Sequence, residues 1–312
     1  MSHFLSRAKE YTLRRLADAL AVRTTLLARI AGQTPILTPM DDPSFAACYL
    51  PYRPGESAWF IPRQLPEMAL NQVDGLPMPP AELWAGYGHN QDEYVESGRI
   101  HFKGMQDVMA QLNVTFKLGS RILDFGCAAG RMIRCFKPVA EQHEIWGVDL
   151  SAARILWCQQ YLGEWFRFFT STTFPHLPFE DNYFDFMYAG SVFTHIGDLE
   201  DAWLMELRRI LKPGGLMYIT VHDNTTIDLF LSSPPGHWLH DTPTRQQLLA
   251  LDTKKHYTSQ GYCAFMLSRE PGNTQVFHDI DYLKHTWGRY LKIVGVYPEA
   301  YGYQTAVVLG KG

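Results

Sequence analysis

The sequence predicts an α/β protein built on a doubly wound, largely parallel sheet, and three observations carry that prediction. Arg121-Ile-Leu-Asp-Phe reads as a short buried strand, followed by a turn bracketed by Gly126 and Gly130 and then by a new segment, Met132–Phe136. A second apolar run, Ile145-Trp-Gly-Val-Asp-Leu, also ends in a carboxylate, Asp149. Further strand-like runs then alternate with helical stretches through the middle of the chain, which implies parallel strands with helices on both faces.

Taken in order, strands are expected near 121–125, 144–149, 166–170, 184–189, 215–221, 291–297 and 304–310. The last two are close in sequence, with Pro298 and Gly302 between them, and read as a hairpin. Upstream, residues 4–31 have helical periodicity through Leu13, Leu16, Leu20, Leu27 and Ile30, with six basic residues against two acidic ones. Such a helix packs on its own domain or on a second subunit, or lies on an anionic membrane. Residues 34–80 hold ten prolines, too many for regular structure, and read as an ordered but irregular wrap. Residues 81–112 are helical in pattern, with Gly86, Gly88 and Gly98 expected as breaks. Residues 223–278 interrupt the strand–helix alternation. A helix is expected near 243–251, and a hairpin from Tyr262–Leu267 and Thr274–Phe277 across Glu270-Pro-Gly-Asn273.

In an open α/β sheet both carboxylates would stand at the carboxyl ends of neighbouring strands, where such sheets bind nucleotides. A dinucleotide fingerprint, Gly-x-Gly-x-x-Gly, would need glycines where this chain has Ala128 and Arg131. The turn is a poor pyrophosphate cradle, which disfavours a nicotinamide oxidoreductase. It suits a nucleoside with an amino-acid tail, Asp149 taking both ribose hydroxyls.

At these residues the chain resembles the class I S-adenosylmethionine-dependent methyltransferases. Leu123-Asp-Phe-Gly-Cys-Ala-Ala-Gly130 is similar to the family's first motif, and Gly147-Val-Asp149-Leu-Ser151 to its ribose-binding strand. Leu177–Asp185, Ser191-Val-Phe-Thr-His-Ile196 and Glu206–Gly215 resemble later motifs in the family's order. The resemblance implies a Rossmann-like seven-stranded sheet with an antiparallel edge hairpin, and S-adenosyl-L-methionine as cofactor. The residues it implies around the cofactor are Asp124, Gly126, Cys127, Ala128, Gly130, Asp149, Leu150, Ala189, Gly190 and Ser191. Two departures stand out. Ala128 replaces a usual central glycine, and Thr172 and Thr173 stand where an acidic residue often holds the adenine. The segment Glu82–Gly88 resembles a lead-in that closes over the cofactor, with Trp84 and Tyr87 either covering the site or packing in the core.

Methyl transfer from a sulfonium needs the acceptor held in line with the methyl group, and a base only where the acceptor has a proton to lose. His222, just past the expected fifth strand, and His195, past the fourth, are candidate bases, with His278 a third. Each can equally serve only to hydrogen-bond a loop. His237-Trp-Leu-His240 has ligand-like spacing, but Pro234-Pro-Gly236 before it opposes a helix, and no metal site is expected.

The expected organisation is a helical and proline-rich extension over 1–110 and a methyltransferase domain over 111–312, with a lid insert at about 223–278. The expected acceptor is a small molecule, a saccharide or related hydroxyl-bearing metabolite. A protein or lipid-linked acceptor and a non-catalytic cofactor-binding module are the alternatives. A net charge of −4 gives no basic face for nucleic acid. Five cysteines without a C-x-x-C pair fit a reducing cytoplasm, and no run is long and apolar enough to span a membrane. The N-terminal helix offers a surface for a homo-oligomer.

Overall fold

The computed structural model describes residues 71–197, 199–250, 260–267 and 274–312. The expected N-terminal helix, most of the proline-rich stretch, His256, Tyr257 and the turn at 270–273 lie outside the described residues. A minimal hairpin of β1 (Gln72–Val73) and β2 (Leu76–Pro77) leads into helix α1 (Gln91–Gln111). Asn90 caps α1 reciprocally. Its side chain accepts from the Glu93 amide at 2.9 Å, while the Glu93 carboxylate accepts from the Asn90 side chain and the His89 amide.

Seven strands make one sheet: β3 (Arg121–Phe125), β4 (Glu144–Asp149), β5 (Arg167–Thr170), β6 (Phe184–Ala189), β7 (Leu211–Val221), β10 (Lys292–Tyr301) and β11 (Gln304–Gly310). Their order across the sheet is β10-β11-β7-β6-β3-β4-β5. Strands β5, β4, β3, β6 and β7 run parallel, and β11 enters antiparallel between β7 and β10. This is the doubly wound sheet with an antiparallel edge hairpin expected from the sequence. Leu123, Val148, Met187, Met217, Ile219 and Val307 are buried in one continuous core. Strands covered on both faces need unbroken apolar runs instead of alternation, and those runs are what made them visible in the sequence.

The order reverses between β3 and β6, since β4 and β5 lie to one side of β3 and β6 and β7 to the other. Ligands bind such sheets at the carboxyl ends beside that reversal. Helices α2 (Ala152–Tyr161) and α3 (Glu200–Ile210) link the parallel strands. The segment after the glycine turn is a run of 3-10 turns, Ile133–Gln142, with Pro138 inside it. Proline has no amide to continue an α-helical ladder and clashes with the carbonyl four residues back.

The insert after β7 folds as α4 (Asn224–Ser232), α5 (Pro243–Ala250), an antiparallel pair β8 (Tyr262–Met266) and β9 (Thr274–His278), and α6 (Ile280–Thr286). It ties back to the sheet where His222 bridges Phe277 and the Val276 amide donates to the Thr194 carbonyl. No helix among the described residues is long and apolar enough to cross a membrane.

Two expectations are corrected. The proline-rich stretch does hold regular structure at its end, where β1 pairs with β2 across Asp74-Gly75, ahead of Pro79 and Pro80. Gly98 does not break a helix; it lies inside α1, where a Cβ would stand 2.5 Å from the Arg131 carbonyl oxygen. Gly104, further along α1, is as close to the Ala300 carbonyl, at 2.4 Å. These glycines let α1 pass flush against the glycine turn and the edge hairpin. Gly98→Ala would gain about 1 kcal/mol of helix propensity but force backbone apart at a cost of about 1–3 kcal/mol. We expect net destabilisation in urea unfolding; a more stable variant would show that the crossing is loose.

Candidate cofactor site

The site begins with Asp149 at the end of β4. Its Oδ2 accepts from the Ala128 amide at 2.9 Å and its Oδ1 from the Ser151 amide at 2.8 Å. The amides of Gly126 and Cys127 both reach the Val148 carbonyl, at 2.8 and 2.9 Å. The turn after β3 is thus pinned to the end of β4. Gly126, Ala128 and Gly130 all have positive φ, at 86°, 47° and 81°. Ala128 adopts the left-handed region that a glycine would occupy at no cost, so the methyl group is accommodated with some strain. A carboxylate offers about four acceptor positions, so Asp149 keeps capacity for a ribose diol after binding two amides.

Tyr87, Asp124, Gly126, Cys127, Ala128, Arg131, Met132, Gly190 and Tyr301 line one cavity at the switch point. Its volume is about 30 Å³, the room of a single water. Tyr87 and Tyr301 are its two aromatic lining residues. A Cβ on Gly126 would collide with Val192, and one on Gly190 would meet the Tyr301 ring at 2.7 Å. Bare backbone therefore faces the cavity from both β3 and β6. Asp124 is 3% exposed, and its Oδ2 is buried without a hydrogen-bond partner. Burial pushes its pKa up to about 7; the Tyr188 hydroxyl and Arg131 oppose that rise and Asp149 adds to it. An orphaned carboxyl oxygen, a glycine cradle and an acidic strand end fit a nucleoside with a cationic amino-acid tail.

The remaining expected cofactor residues are placed as follows. Cys127 is buried with its thiol toward the Ala128 carbonyl, and Leu150 is half-buried beside Asp149. Thr172 and Thr173 follow β5, next to β4; the Thr172 hydroxyl accepts from the Phe174 amide, and the Thr173 carbonyl from the Trp203 indole. Ala189 ends β6. Ser191 has φ 58° and its hydroxyl is taken up by Thr194 and Gln304, so it serves the wall more than the cavity. Of the two lead-in aromatics, Tyr87 reaches the cavity, whereas Trp84 stacks on Tyr94 and donates to the Pro79 carbonyl in the core.

The three histidines lie together, away from the cavity lining. His222 is 1% exposed, packed on the rings of Phe277, Tyr303 and Phe230. Burial, with His195 and His278 adding to it, holds its pKa well below the usual range, against the Val276 backbone. The His195 ring donates from Nδ1 to the Thr274 carbonyl at 2.7 Å, and burial lowers its pKa too. His278 Nε2 lies 2.6 Å from Glu200 Oε2, and Trp287 donates to the other oxygen of the same carboxylate. Both ring nitrogens of His222 are buried without a hydrogen-bond partner, whereas His195 ties the loop after β6 to β9 and His278 ties β9 to α3. His237 and His240 bond within their own loop, to the Leu239 amide and the Ser233 carbonyl. Among the described residues no cluster of metal-ligating side chains occurs.

Sequence reasoning missed Tyr301 and the placement of Arg131 altogether. Nothing in the order of residues brings position 301 to the turn at 126–131; only the pairing of β10 with β11 does so.

Residues 123–219, from the middle of β3 into β7, match the family model of the methyltransferase domain. That stretch, under a third of the chain, is similar to a methyltransferase domain. The sterol 24-C-methyltransferase of Schizosaccharomyces pombe is 35% identical over 130 residues, which cover 39% of this chain and 32% of that protein. The demethylmenaquinone methyltransferase of Staphylococcus saprophyticus is 33% identical over 125 residues, 39% of this chain and 52% of the relative. The matched stretch thus spans about half or less of these relatives' length. Among solved structures, the PH0226 protein of Pyrococcus horikoshii superposes with a TM-score of 0.47 at 19% identity, covering 72% of this chain and 95% of that one.

Two measurements probe the candidate cofactor site. In the folded chain Asp124 titrates near 7, against about 4 when unfolded. The folded state then holds the extra proton between these values, so stability falls as pH rises from 4 to 7 and levels off above. Asp124→Asn should match the wild type near pH 4 and exceed it by about 2–4 kcal/mol at pH 8; parallel curves would mean Asp124 is ionised throughout. Asp149→Ala should weaken S-adenosylhomocysteine binding by about 1.5–3 kcal/mol, read by calorimetry, and unchanged affinity would remove Asp149 from the ribose.

Proposed function

We propose that the protein transfers a methyl group from S-adenosylmethionine to a small-molecule acceptor. The observation that carries this reading is the convergence on one switch-point cavity of the Gly126–Gly130 turn, the bare backbone of Gly190 and the unpartnered Asp124 carboxyl. In this reading Asp149 holds the ribose, the Gly126–Ala128 backbone lies along the nucleoside, and Thr172 and Thr173 border the adenine. The cofactor supplies an electrophilic methyl group with a good leaving group. The protein's part is to hold the acceptor in line with it and to exclude water.

For the acceptor, the reading is an apolar molecule whose attacking atom is already nucleophilic. The insert brings Phe230, Leu239, Phe277 and Tyr303 together, and Trp238 stands 64% exposed against the edge of Tyr303. His195 and His278 are engaged with Thr274 and Glu200, and His222 is sealed among the rings of Phe277 and Tyr303, so no described histidine borders the cavity to deprotonate a hydroxyl. The names of the similar proteins, a sterol and a demethylmenaquinone methyltransferase, point the same way. Free thiols at Cys127, Cys135, Cys158 and Cys263 fit the reducing cytoplasmic setting expected from the sequence.

The test is incubation of the purified full chain with methyl-labelled S-adenosylmethionine and two fractions of a lysate, one lipid-extractable and one water-soluble. Label should enter a lipid-extractable product, and His222→Asn should leave the pH profile of kcat unchanged. Label in a saccharide, the acceptor expected from the sequence, with a pH profile that moves on substitution of His222 would overturn the acceptor assignment. Binding of S-adenosylmethionine without label transfer would favour the non-catalytic module.

A further inference from the structure

The seam where the insert meets the sheet closes around an imidazole that it does not satisfy. His222 follows β7 directly, and neither of its buried ring nitrogens has a hydrogen-bond partner. Its walls are rings, with centroids at 4.9 Å for Phe277 of β9, 5.6 Å for Tyr303 and 6.5 Å for Phe230 of α4. Leaving a buried polar group unpaired costs about 1–3 kcal/mol. Main-chain bonds hold the seam instead: the His278 amide donates to the His222 carbonyl at 2.8 Å, and the Val276 amide to the Thr194 carbonyl at 2.9 Å.

Among the described residues no acid around the seam bonds to His222. Asp223 accepts from the Thr226 amide and the Thr305 hydroxyl, and Glu200 holds His278 and Trp287. Asp279 caps α6 through the Asp281 and Tyr282 amides. Burial pushes the Tyr303 hydroxyl up to about 12, so it stays neutral. The remaining neighbours, His195 and His278, are themselves imidazoles. A proton on His222 would therefore make a buried cation without a counter-ion, which costs several kcal/mol. Burial, with the two other imidazoles adding to it, accordingly holds the His222 pKa well below the usual range. Above about pH 6.5 the ring is neutral whether the seam is open or closed. Below that the open form takes up a proton that the closed form refuses, so closure weakens as pH falls.

We propose that this seam is a proton-coupled latch: the β8–β9 pair parts from the end of β7 and from the loop after β6 when His222 takes up a proton, and it closes again as the proton leaves. Opening uncovers Phe277 and Phe230, part of the apolar surface to which the acceptor is assigned above. The latch does not depend on methyl transfer and is tested without ligand, so its failure is distinct from failure of the methyltransferase reading. Hydrogen exchange registers such openings even while the closed form dominates, where turnover does not.

The test follows exchange of the Val276 and His278 amides, whose bonds cross the seam, on the full chain between about pH 7.5 and about pH 5. Rates are corrected for intrinsic exchange, and amides of β3 and β4 serve as the internal reference. Protection at the seam should fall by about thirtyfold for one coupled proton, and further through His195, whose pKa burial also lowers. The reference amides should not follow. His222→Phe, with His222→Gln as a second variant in case the larger ring overpacks, should remove about thirtyfold of that fall. Seam protection that is flat with pH, or that falls in parallel with the central sheet, would overturn the inference. So would a wild-type slope retained in either variant.

Discussion

The bond from the Ala128 amide to the Asp149 carboxylate is the constraint on which the site depends. It joins the turn after one central strand to the end of its neighbour, so the position of the whole Gly126–Gly130 loop is referred to the sheet. The second oxygen of that carboxylate accepts from the Ser151 amide, just where α2 begins, and Ser151 itself caps that helix. Loop, strand and helix are thus indexed to one another through a single side chain. The cost is backbone strain at Ala128, held in a left-handed conformation, and the surroundings over-determine it.

Much of this was legible in the sequence because the central strands are buried on both faces. Unbroken apolar runs ending in Asp149 or in small residues mark where such strands stop, and the observed ends of β3, β4, β6 and β11 lie where those runs end. The edge hairpin could be read from Gly302, although Pro298 lies inside β10 at a break in its register and not in the turn. What could not be read was pairing at a distance. His222 does stand at the carboxyl end of β7, but whether its ring is open or sealed depends on β9, which bridges it from fifty-five residues away. Periodicity carries no information about such a bridge.

Arg131 illustrates the same limit from the other side. At its place a dinucleotide fold needs a small residue, because helix and strand approach closely there. The close approach does exist in this chain, but the small residue sits on the opposite partner, as Gly98 in α1. The backbones still meet, and the arginine side chain is released toward Ser97, His101 and Tyr301. A sequence motif counts residues along one chain segment, whereas the steric requirement is shared between two.

The Arg131–Tyr301 contact joins residues 170 positions apart. Loop closure over such separations is slow, and contacts of this kind form after local ones. A chain whose central strands have already paired therefore still has its guanidinium open to water until the edge hairpin docks. The Tyr301 part of the cavity lining is therefore complete only once the edge hairpin has docked.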